Sequence, residues 1–223
     1  MSSQASAVHW DEATGEPYLA VPSHPGIRIT PLRDSPDEVD SLVRVNSAPS
    51  VGRWFFSRPF PYSPADGRKQ LDAALLAQAP AIASLRSGAA DESALAALTV
   101  VRDTQSGRYI GDVGVYPAAP ESDLAPWGLL YTLDPQYHGQ GLGTAVVGAY
   151  LAWLETLGVG RVEAVIQTTN VPSSRLVKRL GFSLHEVKGA KWPESKGGDV
   201  REVGVWLRDV GPRGTEGKEG TTA

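Results

Sequence analysis

The 223-residue chain contains no cysteine. Disulfide scaffolds, cysteine nucleophiles and thiolate metal sites are therefore excluded, and no metal is called for. Long apolar runs are also missing: nothing approaches the roughly 18 to 20 residues that span a bilayer. The start, MSSQASAVHWDEATGEP, lacks a basic stretch followed by an apolar one and does not read as a signal peptide. An excess of positive charge is absent too. With a net charge of −4, neither nucleic acid nor an anionic membrane is expected as a partner. These absences point to an intracellular, soluble protein, with the cytoplasm as the expected compartment and the nucleus left open.

What is present is ordinary globular composition. At 41% hydrophobic and 21% charged residues, the chain can bury the core of one domain with extensions. Residues 1–26 read as an N-terminal extension in which VHWDEATGEPYLAV either forms a small hairpin turning at ATGE or stays loosely packed. Residues 27–208 hold the domain. The tail, 209–223, has almost no apolar content and is expected to be disordered.

Within the domain, IRITPLR alternates as a half-buried strand. SPDEVDSLVRV then opens with Ser35 as a helix cap, Pro36 in the first turn and Glu38 three residues after the cap, with Val39, Leu42 and Val43 facing inward. Ser63 and Pro64 repeat the device for a second helix, with Leu71, Leu75 and Leu76 inward. AIASLR, ALAALTVV and YIGDVGVYP read as antiparallel strands, and WGLLYTLD as a strand stopped by Pro135. A glycine loop leads into a helix whose apolar residues recur from Leu142 to Leu157 at three-and-four spacing. RVEAVIQT, FSLHEV and REVGVWLRDV read as strands, with the short helix PSSRLVKRLG after the first of them. The expected fold is α/β (α+β): a single domain with a mixed, mostly antiparallel central sheet flanked by helices.

The glycine loop carries the chemistry. A strand, a loop bearing Gly139, Gly141 and Gly143, and a helix start together form an anion site, because the first N–H groups of a helix lack partners. A nucleoside-triphosphate loop needs Gly-Lys-Ser/Thr, and no lysine follows here. A dinucleotide fingerprint needs G-x-G-x-x-G, and Thr144 holds the third glycine position. Glu163 stands about twenty residues on, but inside RVEAVI, and no second parallel half follows.

The remaining candidate is the pyrophosphate loop of an acyl-coenzyme A. His138-Gly139-Gln140-Gly141-Leu142-Gly143, then Asn170-Val171-Pro172-Ser173, then Leu180-Gly181-Phe182 resemble the GNAT N-acetyltransferase superfamily in motif, order and spacing. RITPLRDSPDEVDSLVRV and PFPYSPADGRKQL look like its ribosomal-protein (RimJ/RimL-type) branch. The resemblance covers about residues 27–208 and implies an acetyl-CoA-dependent N-acetyltransferase. Its amine acceptor would be a protein N-terminus or a small molecule, attacked directly in a ternary complex by a monomer or homodimer. The alternative is a non-catalytic acyl-CoA-binding module.

Roles follow from the resemblance position by position. Leu133 would pair its backbone with the pantetheine arm and help polarise the thioester. Gly139, Gly141, Gly143 and Thr144 would hold the pyrophosphate. His138 replaces the family's arginine or glutamine, which implies a single hydrogen bond to phosphate or a surface histidine. Asn170 would bond the pantetheine chain, or cap the next helix. Ser173 would serve as the weak acid toward the leaving thiolate, or as a local cap. No glutamate stands in WGLLYTLD to act as base, and Asp112 and Asp123 match no motif. That lack leans toward an α-amine or another weakly basic acceptor. Arg175, Lys178 and Arg179 form a solvated basic face, with the 3′-phosphate of coenzyme A as the other reading. The aromatics of RWFFSRPFPYS (Trp54, Phe55, Phe56, Phe60 and Tyr62) lie where this branch shapes its acceptor wall.

Overall fold

The computed structural model describes residues 8–88, 91–118 and 125–211. Asp123 and most of the tail, from residue 212, lie outside them. The described residues form β1 (Val8–Trp10), β2 (Pro17–Ala20), β3 (Ile27–Thr30), α1 (Pro36–Ser47), α2 (Pro49–Gly52) and α3 (Pro64–Ser87). They continue as β4 (Val100–Asp103), β5 (Tyr109–Pro117), β6 (Trp127–Leu133), α4 (Leu142–Thr156), β7 (Arg161–Gln167), α5 (Val171–Arg179), β8 (Ser183–Lys191) and β9 (Val200–Asp209). One sheet takes all the strands in the order β1-β2-β3-β4-β5-β6-β7-β9-β8. The N-terminal stretch does form a hairpin: Val8 faces Leu19, and β2 continues the sheet onto β3.

The caps act largely as their residues demand. Ser35 accepts from the Glu38 N–H at 3.2 Å, and Ser63 with Asp66 closes a full capping box. Glu38 does not reach back to its cap. Its carboxylate is buried, accepting from the Arg33 N–H and pairing with buried Arg102 at 2.6 Å.

AIASLR is not a strand. It completes the 24-residue helix α3, which ends at Gly88 in the left-handed region (φ 73°). Ala81, Ile82 and Leu85 recur at helical spacing and pack on the main core, so a helical stripe had been read as alternation. Pro80 deprives only the Leu76 carbonyl of its helix partner, and Leu76 is 80% exposed rather than inward, so water can serve that oxygen. In ALAALTVV, residues 92–96 form a 3-10 turn and only Val100 onward pairs as β4.

Adjacent strand residues point to opposite faces, and two cores result. Val101, Ile110 and Val113 face a cluster built on α4, whereas Val100 and Tyr109 face one built on α1 and the first half of α3. Among the described residues β6 and β7 are the only parallel neighbours, joined by the α4 crossover. They pair only at Trp127↔Val162 and Gly128↔Glu163. β6 stays fully paired to β5, and β7 to β9, so the sheet parts between Leu129–Leu133 and Ala164–Gln167.

Candidate active site

The opening between β6 and β7 is rimmed by the glycine loop. Buried Asp134 ends β6, pairs with Arg44 of α1 and caps the turn Pro135–Tyr137 by accepting from the Gln136 N–H at 3.0 Å. The Tyr137 hydroxyl donates to Asp103 at 2.9 Å, which anchors the turn from its other side. Gly139 (φ 75°) and Gly141 (φ 79°) then take left-handed backbone that a side chain would strain, and a Cβ at either would meet no atom within 4 Å. The loop is therefore bent, bare and open.

Gly141 is the N-cap of α4, and the first intrahelical bond runs from the Ala145 N–H to its carbonyl at 3.1 Å. The N–H groups of Leu142, Gly143 and half-buried Thr144 precede that bond and have no intrahelical acceptor. Gly143 serves a different end. A Cβ there would lie 3.0 Å from Leu176 Cδ1 and 3.5 Å from Leu133 Cδ1, so its bareness lets α4 and α5 close on the end of β6.

His138 is exposed, and its Nε2 lies 2.8 Å from the Leu133 carbonyl. A carbonyl only accepts, so Nε2 carries the proton and donates. The ring thus holds the strand end assigned from the sequence to the pantetheine arm. Across the opening, Asn170 caps α5 by accepting from the Ser173 N–H at 3.3 Å. Ser173 Oγ lies 2.5 Å from the Tyr131 hydroxyl of β6. Burial pushes the Tyr131 phenol up to about 12, with the Ser173 bond pulling it partly back. In the sequence Tyr131 is marked only by standing in the strand that lacks a glutamate. Strand alternation placed it beside Leu129 and Leu133, but its partner 42 positions away left no local signal.

On the α1 face, Asp112 is buried and fully engaged. It accepts from Arg58 at 2.9 Å, from the Tyr109 hydroxyl at 3.0 Å and from the Thr132 hydroxyl at 2.8 Å. Tyr62 is core rather than wall: it packs in the α1 cluster, and its hydroxyl donates to Gln70 at 2.6 Å. Of the other aromatics only Trp54 lines a recess, and the Phe60 ring packs against Gly52. Gln167 donates to the Trp54 carbonyl at 3.4 Å, Phe56 meets Trp192 edge-on, and Lys196 donates to the Phe55 carbonyl at 2.5 Å. Residues 192–201, which carry no motif, thus meet this segment from the other side, with Arg201 reaching the recess. Arg175, Lys178 and Arg179 are exposed and carry no ion pair among the described residues, as a solvated face would.

A family model described as an acetyltransferase (GNAT) domain matches residues 27–183. The match spans well over half of the chain, which therefore belongs to the GNAT family of acetyltransferases, whose acetyl donor is acetyl-CoA. A mycothiol acetyltransferase from Propionibacterium freudenreichii subsp. shermanii is 27% identical over 161 residues, 71% of this chain and 44% of that protein. The chain thus spans less than half the length of this curated relative. Among solved structures, spermidine N-acetyltransferase from Vibrio cholerae, in complex with CoA and spermine, is 14% identical with a TM-score of 0.58, covering 82% of this chain and 94% of that one. RimJ from Mycobacterium smegmatis, in complex with CoA-disulfide, is 14% identical with a TM-score of 0.57, covering 82% and 81%. At these identities the likeness is one of fold. Among the described residues, no helix is long and apolar enough to cross a membrane.

Proposed function

We propose that this member of the GNAT family is an N-acetyltransferase that binds acetyl-CoA in the β6–β7 opening and lets an amine attack it directly in a ternary complex. The observation that carries the reading is the opening itself, with free helix N–H groups at its rim and the Tyr131–Ser173 pair across it. The site fits the donor. Gly139 and Gly141 leave bare backbone where a pyrophosphate would need to approach, and Leu142, Gly143 and Thr144 aim unspent N–H groups there. The unpaired edge of β6 up to Leu133 suits an extended amide-bearing arm, which would add to it as a strand does. His138 fixes that edge by occupying the Leu133 carbonyl. Asn170 spends its oxygen on the α5 cap, leaving its amide N–H groups for the arm.

Bound acetyl-CoA supplies an activated thioester carbonyl. In the transfer a C–N bond forms to the amine, the C–S bond breaks, the nitrogen loses a proton and the thiolate gains one. Ser173 stands at the start of α5, where it would donate to the leaving sulfur. Tyr131, kept protonated by burial, would return a proton to the serine oxygen and regain one from the water that takes the amine's proton. A thiol with a pKa near 8.5 needs no stronger acid. Ser173 itself is not a nucleophile in this scheme: its partner is a protonated phenol, not a base, and the chain has no cysteine. Direct attack follows.

The acceptor reaches the opening from the α1 face. Asp112 cannot deprotonate it, because Arg58, Tyr109 and Thr132 hold its oxygens. The amine must arrive neutral or lose its proton to water, which favours α-amines near pKa 8 over lysine-like amines near 10.4. Initial rates with varied acetyl-CoA and amine test the scheme. Intersecting lines support a ternary complex, whereas parallel lines would demand an acetyl-enzyme.

A further inference from the structure

The recess on the α1 face says more about the acceptor. It is an open, shallow recess of about 340 Å³ lined by Arg53, Trp54, Gln167, Thr169 and Arg201. That volume suits a small molecule. Gln167 ends β7, and Thr169 is followed directly by Asn170, the cap that bonds Ser173. The recess therefore adjoins the reacting end of the opening, on the face away from the glycine loop.

Its charges are unbalanced. Arg53 ends α2, is exposed, and lies over the Trp54 ring at 4.3 Å with no carboxylate partner among the described residues. Lys196 has a carbonyl for its partner rather than a carboxylate. Burial, and then the charge of Arg201, hold its ammonium below the usual lysine range. Arg201 stacks on Trp192 at 4.8 Å and pairs with Asp199 at 3.1 Å. Beneath it the buried indole N–H of Trp192 has no acceptor among the described residues. Two of the five lining residues are thus arginines with no carboxylate among the lining, Lys196 stands close by, and the one carboxylate paired here, Asp199, is spent on Arg201. An aromatic-backed guanidinium is a planar fork that matches a carboxylate and repels a polycation.

We propose that this recess selects the acceptor: a small amine that carries a carboxylate, held by the unpaired Arg53 while its nitrogen reaches the opening. The inference rests on the transfer reading above, and its test is arranged to separate the two.

Acetyl-CoA-dependent thiol release is measured on the full chain with the twenty L-α-amino acids and ω-amino acids of increasing length. Each is paired with its amide, and phosphoethanolamine is included. The expected result is a KM about tenfold or more lower for the best carboxylate than for its amide, the size of one charge-assisted contact. R53Q should collapse that gap to about twofold or less, and R53E should invert it. The acetyl-CoA Kd of each variant reports that the fold is intact. Equal use of acid and amide, a gap that survives in R53E, or a preference for phosphoethanolamine over every carboxylate would each overturn the proposal. Titration of the same pairs into CoA-saturated protein decides the matter without turnover. If no amine releases thiol, the transfer reading fails, yet tighter binding of acid than amide, lost in R53E, would still support the recess. Binding of neither would overturn it.

Discussion

The two sides of the opening are built in opposite ways. The donor side comes from one continuous stretch, Trp127 to Phe182, in which strand, loop, helix, strand and helix follow one another. Its loop and caps are set by local contacts: Asp134 to Gln136, His138 to Leu133, Asn170 to Ser173. The acceptor side joins residues 53–62 to residues 192–201, segments separated by most of the domain, through bonds such as Lys196 to Phe55. A donor shared by a whole family can be met by a fixed local motif. An acceptor that differs between relatives is met by loops whose meeting is decided only by the fold.

The largest effect should come from the acceptor-side core. Asp112→Asn leaves Arg58 buried without its counter-charge, and removing one partner of such a pair costs roughly 3–5 kcal/mol. Denaturant melting should register that loss, while turnover well below the melting range stays within a few-fold of the parent. Retained stability with collapsed kcat would instead make Asp112 the base and erase the contrast between the two sides.

Ser173→Ala should lower kcat about 100-fold, near the low end for a lost acid group. Tyr131→Phe should lower it less, since the serine proton remains. In both, the acetyl-CoA KM should move little, and a KM effect without a kcat effect would reduce the pair to a structural clip. Gly141→Val forces a branched residue into left-handed backbone, a strain of about 1–2 kcal/mol. Its signature should be an acetyl-CoA Kd raised about tenfold with acceptor KM unaffected. If acceptor KM moves instead, the sides are not separable. The smallest effect belongs to His138→Ala, which removes one hydrogen bond worth about 0.5–1.5 kcal/mol. A few-fold weaker acetyl-CoA binding is expected, and no change would mean that Leu133 needs no holding.

These residues also mark what the sequence could and could not say. Capping serines, the amphipathic run from Leu142 and the glycine spacing are local physics, and the helices and the loop follow from them. Six residues of AIASLR cannot separate a helical stripe from alternation, and α3 runs on through Pro80, where the helix partner lost is that of exposed Leu76. Glu38 had the spacing of a capping box, yet a buried arginine from β4 outcompeted the cap. Tyr131, Trp192 and Lys196 were illegible because their partners Ser173, Phe56 and Phe55 lie far along the chain.

The most direct test of the account is amine-dependent release of free CoA from acetyl-CoA, with recovery of the acetylated amine, across the acceptor panel. The account predicts thiol and amide formed in equal amounts, with intersecting initial-rate lines. Tight acetyl-CoA binding with no thiol released by any amine would contradict it and leave a binding module in place of an enzyme.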